Sequence, residues 1–126
     1  MNGAKFLIDT NIIICLTQGG LKISDFANKG DNLYISSITY IETLGYPFPN
    51  RDEENAVTKL CEMFERIFLT KEVEKQTIHI RKFNKIKLPD AIIAATAMVH
   101  NLTLVTRNSD DFKKILGLKI VSPLLA

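Results

Sequence analysis

Short continuous apolar runs alternate along this chain with segments whose apolar residues recur every three or four positions. The runs Phe6-Leu7-Ile8, Leu33 to Ile35, Ile67-Phe68-Leu69, Leu102 to Val105 and Lys119 to Val121 have strand length and sit between polar or turn-forming residues. Ile12 to Leu16 reads as a short buried helix broken by Gly19-Gly20. Ser36-Ser37 can cap a helix containing Ile38, Ile41, Glu42 and Leu44, which Gly45 and Pro47 stop. Asp52-Glu53-Glu54 opens a helix on which Val57, Leu60, Cys61 and Phe64 make one apolar stripe. Thr70 caps the next, with Val73, Thr77 and Ile80 facing inward. Pro89 suits the first turn of an alanine-rich helix running to about His100, and Asn108 to Leu116 reads as a last helix. Strands that are continuously apolar, rather than alternating, belong to parallel sheets covered on both faces. The pattern predicts an α/β fold: a three-layer α/β/α sandwich around a parallel sheet of about five short strands, as one domain over residues 1–126.

Composition excludes some classes. No run of eighteen apolar residues spans a membrane. Met1-Asn2-Gly3-Ala4-Lys5 leads straight into the first strand without a signal-peptide core, so a cytoplasmic location is expected. Cys15 and Cys61 fit no metal spacing and read as buried free thiols. A net charge of +2 proves no polyanionic partner, but Arg81, Lys82, Lys85 and Lys87 cluster directly before Leu88-Pro89-Asp90. Such a run is commonly a solvated helix end; beside a functional carboxylate it becomes a candidate phosphate contact.

In open parallel sheets ligands bind beyond the carboxyl ends of the strands. Asp9 directly follows the first strand, Glu42 lies about two turns into the helix after the second, and Asp110 and Asp111 follow the fourth. Asp90 opens the helix that leads into strand four, where backbone donors favour an anion. Glu42 and Asp90 both stand in largely apolar segments, and no Lys or Arg lies at helical spacing from Glu42. Two carboxylates about 5 Å apart repel by roughly 3 kcal/mol at an effective dielectric of about 20. Several together would strain a fold stabilised by roughly 5–15 kcal/mol. A divalent cation removes that conflict, and an all-oxygen set suits Mg2+ or Mn2+ rather than zinc. Each acid also has a bland reading: Asp9 as a helix N-cap, Asp90 as a partner of the helix dipole, Glu42 as one half of a distant ion pair, and Asp110 or Asp111 as first-turn acids.

Four segments in order resemble the PIN-domain ribonucleases and, within them, the VapC-type toxins of toxin–antitoxin pairs. These are Leu7-Ile8-Asp9-Thr10-Asn11, Ser36 through Glu42, Leu88-Pro89-Asp90-Ala91-Ile92-Ile93-Ala94-Ala95-Thr96-Ala97, and Leu104 through Phe112. The third is the family's most recognisable stretch, and together they cover essentially the whole chain. The resemblance implies an endoribonuclease using Mg2+ or Mn2+ held by Asp9, Glu42, Asp90 and Asp111. The residues alone do not choose between Asp110 and Asp111; alignment on Phe112 implies Asp111. Thr10, Thr106 and Asn108 match supporting positions, and Arg81, Lys85, Lys87 and Arg107 are candidates for holding RNA. The implied mechanism is in-line attack of water on a phosphodiester, with Asp9 and Asp90 on the principal ion, Glu42 orienting or deprotonating the water and Asp111 completing the set. A cognate antitoxin and a homodimer are the implied partners. RNA maturation outside toxin–antitoxin biology, and a non-catalytic scaffold on the same fold, are the alternatives. A haloacid-dehalogenase-type phosphatase also starts with strand-then-Asp, but needs a second Asp where this chain has Asn11. His79 and His100 match no ligand position, and Phe48 between two prolines reads as loop packing or a partner contact.

Overall fold

The structure, a computed structural model, describes residues 3–123. Its chain order is β1 (Lys5–Ile8), α1 (Thr10–Thr17), β2 (Asn32–Ser36), α2 (Ser37–Leu44), α3 (Arg51–Glu62), β3 (Glu65–Ile67), α4 (Lys71–Phe83), α5 (Leu88–Val99), β4 (Thr103–Val105), α6 (Ser109–Phe112) and β5 (Ile120–Val121). A short 3-10 turn, Ile23–Asp25, joins α1 to β2. The strands form one parallel sheet in the order β3-β2-β1-β4-β5. This is the α/β/α sandwich expected from the continuous apolar runs.

Side-chain alternation along each strand divides the core in two. Leu7 and Leu104 point to one face, where they meet Val73 and Ile80 of α4, Ala91, Ile93, Ala94, Ala95 and Ala97 of α5, and Phe112. Ile8, Ile35 and Val105 point to the other, against Ile12, Ile13 and Cys15 of α1 and Val57 and Cys61 of α3. The alanines let α5 lie close to the sheet, and four of them are fully buried. Capping follows the sequence reading: Ser36 accepts from Ile38 N–H, and Thr70 from Val73 N–H. Asn50, ahead of the acidic triplet, caps α3 by accepting from Glu53 N–H.

Two elements differ from expectation. The third strand is Glu65–Ile67, not Ile67-Phe68-Leu69, because β3 pairs with β2 from Tyr34↔Glu65 to Ser36↔Ile67 and β2 ends at Ser36, where α2 begins. Phe68 and Leu69 therefore continue past the sheet edge and are 62 % and 50 % exposed. The last helix stops at Phe112 rather than Leu116; Gly117 turns with φ +86° and leaves Leu116 exposed. Placing a leucine at a contact this tight, Ala94→Leu, is expected to cost about 1–3 kcal/mol. Urea unfolding measures it, and an unchanged midpoint would contradict the close packing of α5 on the sheet.

Candidate metal centre

Asp9 is the first residue beyond β1 and Thr106 the first beyond β4. Because Ile8 pairs with Val105, the two stand side by side. Asp9 N–H donates to Val105 carbonyl at 3.0 Å, which holds the turn onto the sheet. Thr106, fully buried, donates its hydroxyl to Asp9 Oδ2 at 2.7 Å. Asn11 Nδ2 donates to the same oxygen at 3.1 Å, and Thr10 N–H donates to Oδ1 at 2.8 Å. Asp9 is thus the N-cap of α1, as its bland reading had it, and is also buried. Asn108 N–H donates to Thr106 Oγ1 at 3.0 Å, so the supporting role of Asn108 is carried by its backbone.

The other acids arrive from neighbouring elements. Glu42 sits on the second turn of α2, and Thr10 donates its hydroxyl to Glu42 Oε1 at 2.8 Å. The buried Thr39 lies 3.1 Å from that hydroxyl, so Thr39, Thr10 and Glu42 form one chain linking α1 to α2. The apolar sequence around Glu42 suggested burial, yet Glu42 and its neighbour Ile41 are exposed: α2 turns Thr39 and Thr43 inward instead. Asp90, half-buried, is in the first turn of α5. Asp110 pairs with Lys113 at 3.0 Å on the surface, whereas Asp111 is close enough to Asp90 to act on its ionisation.

The electrostatics define the shared edge. Burial raises the Asp9 carboxyl above its ordinary value; hydrogen bonds from Thr106 and Thr10 oppose this, while the charges of Asp90 and Glu42 add to it. Burial likewise raises Asp90, with Glu42 and Asp111 adding to the rise and Lys87 opposing it. Asp9 therefore lies within charge range of Asp90 and Glu42, and Asp90 within that of Glu42 and Asp111. Among the described residues the ion pair is Lys113–Asp110, so none of the four is neutralised by a salt bridge. As they stand, no three such groups converge at ligating distance of one point among the described residues. Of the four, Glu42 and Asp111 have exposed side chains, whereas Asp9 is buried and Asp90 half-buried. In donor chemistry the set fits a hard divalent cation: four carboxylates, no nitrogen or sulfur, and a surplus of negative charge.

The basic candidates divide. Lys87 caps the approach to α5 and acts on Asp90. The Lys85 carbonyl accepts from Lys114 Nζ at 2.5 Å, which ties the loop before α5 to the end of α6. Arg81 is exposed on α4 with no contact to the carboxylates. Arg107 turns back, its guanidinium 3.3 Å from the buried Cys15 Sγ and its N–H donating to Asn11 Oδ1 at 3.1 Å. Asn11 and Thr39 escaped the sequence reading as site residues, since a small polar residue near a helix start carries no signal until its partner across the sheet is known. His79 stacks on Phe83, and His100 caps α5, both exposed and away from the acids. Phe48 packs on Tyr46 and the α1/α3 core, as loop packing.

The raised carboxyls carry a pH dependence. A group whose pKa is higher in the folded state holds its proton more tightly there than in the unfolded chain. From the ordinary value of 3.8 up to the raised one, stability falls as pH rises. Without added metal, thermal stability is expected to drop from about pH 4 toward neutrality. Asp90→Asn should flatten that slope and melt no lower than the parent at neutral pH. Melting curves across pH decide, and equal slopes in the two proteins would refute the clustering.

The fold recurs in known proteins. The family model for the PIN domain matches residues 6–117. The chain is similar to ribonuclease VapC1 of Rickettsia felis, at 31 % identity over 92 % of this chain and 94 % of the relative. It is similar at 29 % identity to ribonuclease VapC1 of Haemophilus influenzae, over 90 % of this chain and 94 % of that one. Among solved structures it resembles a chain of a toxin–antitoxin complex from Klebsiella pneumoniae, with 32 % identity, TM-score 0.74 and coverage of 94 % and 97 %. The fold also matches VapBC2 from Rickettsia felis bound to a DNA fragment from its promoter, at TM-score 0.83 and 21 % identity, over 94 % of this chain and 98 % of that one. With the parallel sheet, the acids along its edge and these matches together, the chain belongs to the PIN-domain family, beside the VapC ribonucleases.

Proposed function

We propose that this chain is a Mg2+- or Mn2+-dependent endoribonuclease, the toxin component of a type II toxin–antitoxin pair, working in the cytoplasm. What supports the reading is the set of Asp9, Glu42, Asp90 and Asp111, gathered along one sheet edge with no salt-bridge partner among the described residues. A bound divalent cation would supply charge neutralisation and an acidified water. Asp9, through the remaining lone pair of Oδ1, and Asp90 would hold it. Glu42, held by Thr10, would orient the attacking water and take its proton. Asp111 would complete the outer set. Lys87 stands where it can meet an RNA phosphate beside Asp90, with Lys85 and Arg81 extending the basic stripe and Lys114 bracing the loop. Arg107 would join them on leaving Cys15. Buried free thiols at Cys15 and Cys61 suit a reducing compartment, and among the described residues no helix is long and apolar enough to cross a membrane.

The antitoxin belongs to the same proposal. A groove of about 540 Å3 runs between α1, α2 and α3, walled by Ile13, Ile14, Leu16, Val57 and Leu60, with Glu42 among its lining residues. In it the buried Thr43 hydroxyl has no hydrogen-bond partner among the described residues, a cost of about 1–3 kcal/mol that a bound partner would relieve. An amphipathic segment of the antitoxin would seat there. A homodimer accompanies this reading, with the exposed Phe83 and Leu88 as contact candidates.

Purified chain with Mn2+ is expected to cut single-stranded RNA, to stop on chelation, and to lose cleavage in Asp90→Asn without losing thermal stability. Full activity in that variant would sink the assignment. Ile14→Arg, which puts a charge into the groove, is expected to weaken binding of the co-expressed antitoxin by about ten-fold or more while cleavage by the free chain stays unchanged. Undiminished binding, measured by titration, would move the partner elsewhere.

A further inference from the structure

We infer that Asn11 is a positioning residue of this centre: its carboxamide decides which Asp9 oxygen is left to take a cation, and ties that carboxylate to the loop carrying Asp111. The inference rests on the proposed metal site. Asn11 is half-buried in the first turn of α1. Its Nδ2 donates to Asp9 Oδ2 at 3.1 Å and lies 3.4 Å from Thr106 Oγ1, while its Oδ1 accepts Arg107 N–H at 3.1 Å. The amide has one workable orientation. Flipped, it would set oxygen against the Asp9 carboxylate and a donor against the Arg107 donor.

The consequence follows from lone pairs. Asp9 Oδ2 accepts from both Thr106 and Asn11, which fills it, and Oδ1 accepts one bond from Thr10 N–H. A carboxylate has about four acceptor positions, so one direction on Oδ1 stays open. Without Asn11, Oδ2 regains a free position and the carboxylate loses the bond that sets its plane. The second bond reaches further. Arg107 is pinned to Asn11, Asn108 N–H to Thr106, and Asp111 N–H donates to Asn108 carbonyl at 3.0 Å, so the loop from β4 to α6 takes its place from Asn11 and Thr106 together. A side chain that donates on one side and accepts on the other is needed, and neither serine nor aspartate supplies both at this reach.

The test is calorimetric titration of Mn2+ into the metal-free chain, beside steady-state cleavage of a single-stranded RNA at saturating Mn2+. Asn11→Ala is expected to weaken Mn2+ binding by about 10–100-fold, and to lower kcat while the KM for RNA holds. Asn11→Asp keeps the acceptor for Arg107 and nearly the same shape but sets an oxygen against Asp9, so it should recover none of the lost kcat; circular dichroism at the assay temperature checks that both variants are folded. Mn2+ affinity in Asn11→Ala within about two-fold of the parent, or near-parental kcat in Asn11→Asp, overturns the inference and leaves the metal site standing. A parent protein that binds no Mn2+ overturns the metal site, and the inference with it.

Discussion

The parallel pairing of Ile8 with Val105 is the contact on which the carboxyl edge depends. β1 lies at the centre of the sheet, and the chain adds β2 and β3 on one side before returning to add β4 and β5 on the other. The crevice where those directions part is where an open sheet offers a ligand site. Register then places Asp9 beside Thr106, residues far apart in the chain, and their 2.7 Å bond is the first consequence. Asn11, Asn108 and the backbone of Arg107 attach to that pair. A one-residue slip would turn every side chain of β4 to the opposite face. Leu104 would leave the α5 core and Val105 the α1 core, so core packing itself locks the catalytic register.

The acids strain the edge in proportion to their burial. Asp9 is buried and held by three donors, so it stays oriented at the expense of a raised pKa. Glu42 and Asp111 are exposed, where solvent screens them, and Glu42 is tethered by the Thr10 hydroxyl at 2.8 Å. On the proposed reading, a centre with one buried acid, one half-buried acid and two exposed ones would close on a small octahedral cation by side-chain rotation, without rebuilding the fold. Four rigid, buried carboxylates could not be afforded by a domain of this size.

Much of this was legible in the sequence because it follows from local rules. Continuous apolar runs announced a parallel sheet, Thr70 and Ser36 announced their helices, and acids placed just after strands announced the edge. The misreadings arose where tertiary pairing overrides local pattern. Phe68 and Leu69 look like a strand, but β2 offers them no partner beyond Ser36. Asn108 to Leu116 reads as one helix, but the helix has already ended four residues before Leu116, at Phe112. Glu42 looked buried because its neighbours are apolar; one of them, Ile41, faces outward beside it. Asp110 and Asp111 are indistinguishable as adjacent letters. In the fold Phe112 is fully buried, and the short helix it anchors leaves Asp110 to Lys113 and brings Asp111 within reach of Asp90.

Glu42 joins two parts of the molecule that have so far been separate. It is bonded to Thr10 at the carboxylate edge, and it also lines the apolar groove between α1, α2 and α3. A partner seated in that groove, as proposed, would meet the exposed Glu42 carboxylate there, and a basic group is the side chain best suited to meet it. Such a contact would draw Glu42 away from any cation held by Asp9 and Asp90. If both proposals hold, occupation of the groove and completion of the metal site would compete for one side chain. The competition is reciprocal in free energy: whatever the partner takes from cation affinity, the cation takes from partner affinity. On that reading, regulation would need no conformational relay, because a single residue on the second turn of α2 borders both the carboxylate edge and the groove.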